Sequence, residues 1–249
     1  MLDNCRLSDG DLYIGRGAGR DILNSIQSAK VSVKIVSPYI SSDFVDLLHR
    51  KVEDGVDVRL IVSSDLTGER NVDKCLRKLI YQTQHTKEYL KSARDRWRWI
   101  LLGLVFLVLI VLAIGFSYKL YYFYYSVMLL PFLYVGLRIL NCLTIYWYTY
   151  GSKFCLSIPM SPYSGKGFNS RHSLVHAKIF LIDDNEAYLG SVNFTNAGFW
   201  KNYESRIKIT DEEAINKLHN EFQFLSYNNI YEYMDIDIAG KSLYAEPSN

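Results

Sequence analysis

The sequence lacks the marks of a metal or disulfide scaffold. Its 249 residues hold four cysteines, Cys5, Cys75, Cys142 and Cys155, with no CxxC pair and no dense framework. That spacing argues against a zinc site and against a disulfide-stapled fold, and Cys142 lies inside an apolar run. Scattered reduced thiols suit a cytoplasmic compartment. An excess of one charge is also missing. The 28 Lys+Arg against 26 Asp+Glu leave +2, too little on its own to imply a polynucleotide partner. The opening residues, Met-Leu-Asp-Asn-Cys-Arg, lack the basic start and apolar core of a secretory signal. Gly15-Arg-Gly-Ala-Gly19 has no P-loop lysine and no strong strand before it, so it reads as a turn.

The apolar residues that are present pile up between Trp97 and Tyr150. Trp99 to Phe116 carries neither charge nor proline. As helix, at about 1.5 Å per residue, it would extend roughly 27 Å, near the hydrocarbon thickness of a bilayer. A second apolar stretch, Leu120 to Tyr148, is interrupted by Pro131, Arg138 and Asn141, and Ser117-Tyr118-Lys119 connects the two. The pair reads as a transmembrane hairpin. Tyr118, Tyr121, Tyr122, Tyr124 and Tyr125 lie at its turn, and Trp97, Trp99, Tyr146, Trp147, Tyr148 and Tyr150 at its open end, as interfacial belts do. Lys87, Lys91, Arg94, Arg96 and Arg98 before the first span and Lys153 after the second outweigh Lys119 at the turn. The positive-inside rule then puts both soluble portions in the cytoplasm. Arg138 is expected to snorkel or pair within the hairpin.

Outside the insert, strand and helix signals alternate. Asp21 to Lys30 reads as helix, Val31 to Pro38 as strand, Phe44 to Glu53 as helix behind Ser41 and Ser42, and Val56 to Val62 as strand. Helix resumes near Glu69 and is expected to run on into the first span. After the insert, strands are expected over Lys153–Ile158, Val175–Ile182, Glu186–Leu189 and Tyr203–Ile209, with a Ser/Gly/Pro-rich loop from Pro159 to Ser170 and a helix over Asp211–Leu225. The expected class is α/β, a mixed-sheet sandwich flanked by helices. Neither soluble piece looks large enough to close a core alone. Residues 1–96 and 151–249 are therefore read as one domain, interrupted by the hairpin at 97–150.

The strand Val175-His-Ala-Lys-Ile-Phe-Leu-Ile182 is apolar at every position except two. Period-2 alternation sets His176 and Lys178 on one face. Burying them is costly unless something pairs the charge, and a bound phosphate would do so; a satisfied core histidine beside a snorkelling lysine is the plainer alternative. Downstream, Gly190-Ser-Val-Asn193 places Ser191 and Asn193 on one face as short polar groups. Lys201-Asn-Tyr-Glu204 then brings a carboxylate that can orient an imidazole or sit solvated at a strand end. His85 and His219 read as solvated helical residues. Lys166, Arg171 and His172 form a basic loop beside the motif, and Pro38-Tyr39 reads as a strand-end feature.

His176-x-Lys178-x4-Asp183-x6-Gly190-Ser191-x-Asn193 resembles the motif of the phospholipase D superfamily at six defined positions, without a departure. The resemblance implies a metal-free and cofactor-free phosphodiesterase in which His176 forms a phosphohistidine intermediate. Lys178, Ser191 and Asn193 would bind the phosphate oxygens, and Glu204 would orient and stabilise an imidazole. Asp183 belongs to the motif and counts among the catalytic set, yet its place suggests that it positions a turn. The chemistry also needs a second histidine. His49-Arg50-Lys51 is no second motif, because its spacing to Asp57 is one residue too long and it reads as helix. The resemblance therefore implies a homodimer with the active site at its two-fold interface. The hairpin and the near-neutral charge favour hydrolysis or head-group exchange on a phospholipid, with a membrane-tethered endonuclease acting on DNA or RNA as the alternative.

Overall fold

The computed structural model describes residues 10–64, 72–118, 121–162 and 174–244. The chain enters on a strand, β1 (Gly10–Arg16), and turns through Gly17 into α1 (Gly19–Ser28). This strand was not expected. Its alternation is short, and its partner lies some 190 residues away in sequence. The turn itself is as expected: Gly17 takes a positive φ of 79°, and Gly19 lies so close to Phe199 that a Cβ there would fall 2.2 Å from its ring.

Next come β2 (Ser32–Val36), α2 (Ser42–Glu53) and β3 (Asp57–Ile61). β2 and β3 run parallel, with Ser32 opposite Asp57 and Val36 opposite Ile61. The helix between them is the crossover that a parallel pair requires. α3 (Val72–Leu79) stops before a strand, β4 (Tyr81–Thr86), and only then does α4 (Glu88–Ser117) begin. The expected continuous helix into the apolar run is therefore broken. Tyr81-Gln-Thr-Gln-His-Thr86 is rich in β-formers. It pairs with an aromatic strand that follows the apolar helices, β5 (Tyr146–Gly151), where the sequence predicts the end of a span.

By contacts the chain divides into two compact units, Met1–Tyr81 with Tyr150–Tyr244, and Gln82–Thr149 with Ala245–Asn249. In the second unit, α4 is the one helix among the described residues long and apolar enough to cross a membrane. Only Val108 and Gly115 of its residues are buried, so it is not the core helix of a soluble domain. The second apolar stretch forms a 3₁₀ segment (Tyr121–Met128) and a 13-residue helix, α5 (Leu129–Asn141). Pro131 falls in the first turn of α5, where a missing N–H costs nothing.

In the first unit the remaining elements are β6 (Cys155–Ser157), β7 (Ile179–Ile182), β8 (Glu186–Gly190), β9 (Tyr203–Ile209), α6 (Glu212–Ser226) and α7 (Ile236–Leu243). They complete a mixed seven-stranded sheet of order β1-β9-β8-β7-β2-β3-β6. β7 turns into β8 through Asp183 and Asp184, both with positive φ, the conformation that suits a tight hairpin. One face of the sheet packs on α1, α2 and Phe199 through Val33, Ile35, Leu60 and Phe180. The other packs Val36, Ile61, Ile179 and Leu181 against Ala214, Ile215, Phe222 and Leu225 of α6. Asp211 caps α6, its carboxylate accepting the N–H of Ala214 at 2.9 Å.

Candidate active site

The strand ends that carry the motif meet at one edge of the large sheet. β2 and β3 finish there. β7, antiparallel to β2, starts there, β8 finishes there and β9 starts there. The last β2–β7 pair is Val36 with Ile179, so β7 begins later than the expected Val175. The ladder ends because Pro38, whose turn it would be to donate toward β7, has no N–H; on the other side of β2 the N–H of Ser37 still bonds Ile61 O at 3.0 Å. His176 and Lys178 consequently stand on the lead-in to β7, free of strand pairing.

His176 is exposed and Lys178 is 6% exposed. The ammonium of Lys178 donates to His176 O at 2.7 Å, and stands 2.8 Å from Nδ1 and 3.1 Å from Nε2 of the ring. Burial lowers the pKa of Lys178, and the charge of Glu204 partly restores it. The carboxylate of Glu204 takes a short hydrogen bond from Ser191 Oγ and another from Asn202 Nδ2 at 3.1 Å. Ser191 Oγ accepts in turn from Ser205 N at 3.0 Å. Within one chain, Glu204 is therefore bound to the serine rather than to the imidazole.

Asn193 presents one end of its amide, Oδ1, buried and without a partner among the described residues. Such an orphaned polar atom costs about 1–3 kcal/mol. The two ends of an amide are exchanged by a flip, so this position can present either a donor or an acceptor. The loop that holds it is clamped by residues the sequence reading did not single out for the site. Ser37 Oγ accepts from Phe194 N at 2.9 Å, and Ser41 Oγ accepts from Asn196 N at 3.0 Å. Gly198 leaves room for Asn193, since a Cβ there would stand 2.5 Å from its carbonyl. A serine at each end of the single β2–α2 turn is the available signal, Ser37 just after the strand and Ser41 at the helix cap.

Gly190 has a comparable role. A Cβ at this position would lie 2.1 Å from Ser205 O on β9. Gly190→Ala is expected to force β8 and β9 apart, costing about 2 kcal/mol and displacing Ser191. Urea unfolding together with turnover per folded molecule checks this, and an unchanged midpoint would refute it.

Asp183 is not gathered with the others. Five residues of extended chain, roughly 16 Å, separate it from Lys178. Its carboxylate accepts the backbone N–H groups of Lys30 at 3.0 Å, Val31 at 2.7 Å and Ser32 at 3.0 Å. Burial opposes its charge, but these three donors outweigh that and hold its pKa below the ordinary carboxylate range. Asp183→Ala is expected to cost about 2 kcal/mol and to leave turnover per folded molecule within about threefold. Because the folded pKa is depressed, the stabilisation is complete above the ordinary carboxylate pKa and is lost as pH falls through the lower folded value. The gap between wild type and variant should therefore close in acid. A specific loss of turnover in a fully folded variant would return Asp183 to the chemistry.

The other histidines lie elsewhere. His49 is in α2, its Nε2 buried without a partner among the described residues and its pKa lowered by burial. His85 is in β4 rather than a helix, its ring stacked 4.3 Å from that of Trp147. His219 is half-buried, 3.2 Å from Asp184 and 3.4 Å from Lys34, so it is not the solvated residue expected. Lys166, Arg171 and His172 lie outside the described residues.

Residues 148–225 match the family model described as cardiolipin synthase, PLD-like domain, a span that holds His176, Lys178, Ser191, Asn193 and Glu204. No curated sequence matches the chain. Among solved structures, NucT from Helicobacter pylori is similar over 87% of this chain and 94% of its own, at 17% identity and a TM-score of 0.48. Nuc from Salmonella typhimurium, a phospholipase D family member, is similar over 91% and 99%, at 14% identity and 0.46. Phosphatidylserine synthase from Haemophilus influenzae Rd KW20 follows over 90% and 40%, at 11% identity and 0.42. Likenesses this low in identity and score carry no argument about substrate.

Proposed function

We propose that this chain, which belongs to the phospholipase D superfamily by its residues 148–225, is a membrane-anchored phosphodiesterase that acts on a phospholipid through a phosphohistidine. The observation that carries the reading is the meeting of His176, Lys178, Ser191, Asn193 and Glu204 at one sheet edge, with a buried ammonium touching the imidazole. An arriving phosphate replaces the ring as the partner of Lys178. Its oxygens take hydrogen bonds from Lys178, Ser191 and Asn193, which supply charge stabilisation from fixed positions. His176 attacks phosphorus, and the P–O bond to the leaving alcohol breaks. The alcohol oxygen takes its proton from a second imidazole. Water then displaces His176, giving up its proton to that same imidazole. Asp183 has no part in these steps; its work is to hold the β7–β8 turn.

Among the described residues one such histidine stands at this edge, and in this reading the second comes from another copy, with the site at the two-fold between them. Glu204, bound to Ser191 in the single chain, is then available to orient an imidazole.

The anchor is α4, which crosses the bilayer, and the return path is the 3₁₀ segment with α5. At about 2.0 and 1.5 Å per residue these two extend roughly 35 Å together, enough to come back to the same side. Arg138 lies exposed in the last turn of α5, where its charge complements the helix dipole and its stem reaches the interface. The cations Lys87, Lys91, Arg94, Arg96 and Arg98 favour a cytoplasmic catalytic unit by the positive-inside rule. In this reading the insert, residues 97–150, interrupts a single catalytic domain formed by 1–96 and 151–249.

The test is turnover by the reconstituted full chain on labelled phospholipid and on labelled oligonucleotide. Lipid turnover alone is expected. Cleavage of the oligonucleotide alone would make the chain a membrane-tethered nuclease.

A further inference from the structure

α4 is longer than a bilayer needs. Its apolar part begins at Trp99, and the residues before it, Glu88 to Arg98, add roughly 16 Å of helix. Charge is not spread evenly over that extension. Lys87, Lys91, Arg94 and Arg98 follow one another at intervals of four, three and four residues, the spacing that stacks side chains on one face of a helix. The acids Glu88 and Asp95 lie about a quarter turn to one side, and Arg96 is on the opposite face. Arg94 is half-buried and engages Asp95 at 3.4 Å. Lys87, Lys91 and Arg98 are exposed, and among the described residues no carboxylate pairs with them. Like charges four residues apart repel one another, unless an anion lies against them. Arg98, Trp99, Asp95 and Leu102 also line a recess of about 330 Å³.

We propose that this face docks the head groups of anionic phospholipids in the bilayer that α4 enters. The inference rests on the membrane anchoring read for α4 and goes beyond it, because it makes the anchor selective for lipid charge. Two observations select that occupant. The first is depth. With Trp99 at the hydrocarbon boundary, Arg98 and Arg94 stand within about 8 Å of it, inside the head-group layer. Lys91 stands within a further Debye length, about 8 Å at physiological salt. A soluble partner would have to compete with the phosphates already at that depth. The second is charge. Asp95, the acid at head-group depth, is already paired with Arg94, so Arg98 and Lys91 are left to meet an anion. A cation so placed enriches anionic lipid about fivefold. The recess supplies the shape: a guanidinium for the phosphate, and Trp99 and Leu102 for the glycerol and the first methylenes. Docking is also distinct from orientation. The orientation of a span follows the number of cations on each side, whereas docking needs them on one face.

The measurement is quenching of tryptophan fluorescence in the full chain, reconstituted into vesicles of phosphatidylcholine with a minority of phosphatidylglycerol. A brominated acyl chain, the quencher, is carried on one lipid or on the other. Trp97 and Trp99 flank Arg98 and report which lipid lies against it. The chains compared are wild type, Lys91→Gln with Arg98→Gln, and a register variant that adds Tyr89→Arg and Ser92→Lys to that pair. The register variant keeps the cation count but moves two charges to exposed positions off the stripe. Resistance to alkaline extraction is read for each chain. Wild type is expected to prefer phosphatidylglycerol by at least about fivefold and both variants by less than about twofold, with all three resisting extraction. A register variant as selective as wild type would overturn the proposal, since cation count alone would then suffice. Wild type that resists extraction but shows no preference would overturn the docking face and leave the anchor standing. Wild type released by alkali would overturn the anchor and the docking face together.

Discussion

His176→Ala is expected to lower turnover by at least about 10⁴-fold without lowering the melting temperature. The second half of that expectation follows from position. His176 is exposed and belongs to neither core cluster, and the strongest contact it gives Lys178, through its backbone carbonyl at 2.7 Å, survives the substitution. The first half follows from the role proposed for it. A nucleophile splits one displacement into two, and without it water must attack phosphorus unaided in a site arranged for an imidazole. The sharper readout is covalent. Wild type mixed with substrate labelled at phosphorus and quenched should carry an acid-labile label, and His176→Ala should carry none. Activity persisting in the variant, or a label that survives on it, would remove His176 from the nucleophile's place.

The motif was readable because its members need only local pattern. Asp183-Asp184-Asn185 had to be a tight turn between two apolar strands, and that alone folds Ile179–Ile182 back on Glu186–Leu189. What could not be read depended on groups far apart in the chain. β1 is fixed by seven pairings to β9, none visible in Asp11-Leu-Tyr-Ile14. β4 looked like the continuation of a helix until it met Tyr146–Gly151. The clamp of Ser37 and Ser41 on the Asn193 loop joins residues more than 150 positions apart. The hydrogen bond of Glu204 to Ser191 is illegible for a related reason. Alternation predicts which face a side chain takes, but not that Ser191 Oγ reaches the carboxylate first. The apolar run gave its hydrophobicity directly, yet the break of the second stretch into a 3₁₀ segment and a short helix follows from Pro131, whose effect depends on where the helix begins.

Lys178→Met should separate stability from function more cleanly than any other change at the site. Turnover is expected to fall by at least about 10³-fold, because the charge that meets the phosphate oxygens is gone. Stability is expected to rise, by about 1 kcal/mol at neutral pH. Lys178 is buried, and burial lowers its pKa although the charge of Glu204 works in the opposite direction. A lysine whose folded pKa lies below its unfolded value is a charge the fold would rather not hold. The penalty is present at pH values below the folded pKa and disappears as pH climbs through the unfolded one. Methionine fills nearly the same space without that penalty. The difference in melting temperature between variant and wild type should therefore be largest near neutrality and shrink in alkali. Inorganic phosphate should change its sign. An anion that pairs with Lys178 stabilises wild type by mass action and has little to bind in the variant, so at high phosphate wild type should overtake Lys178→Met. A variant that melts lower than wild type at every pH and every phosphate concentration would mean that the ammonium holds the fold together rather than waiting for a phosphate.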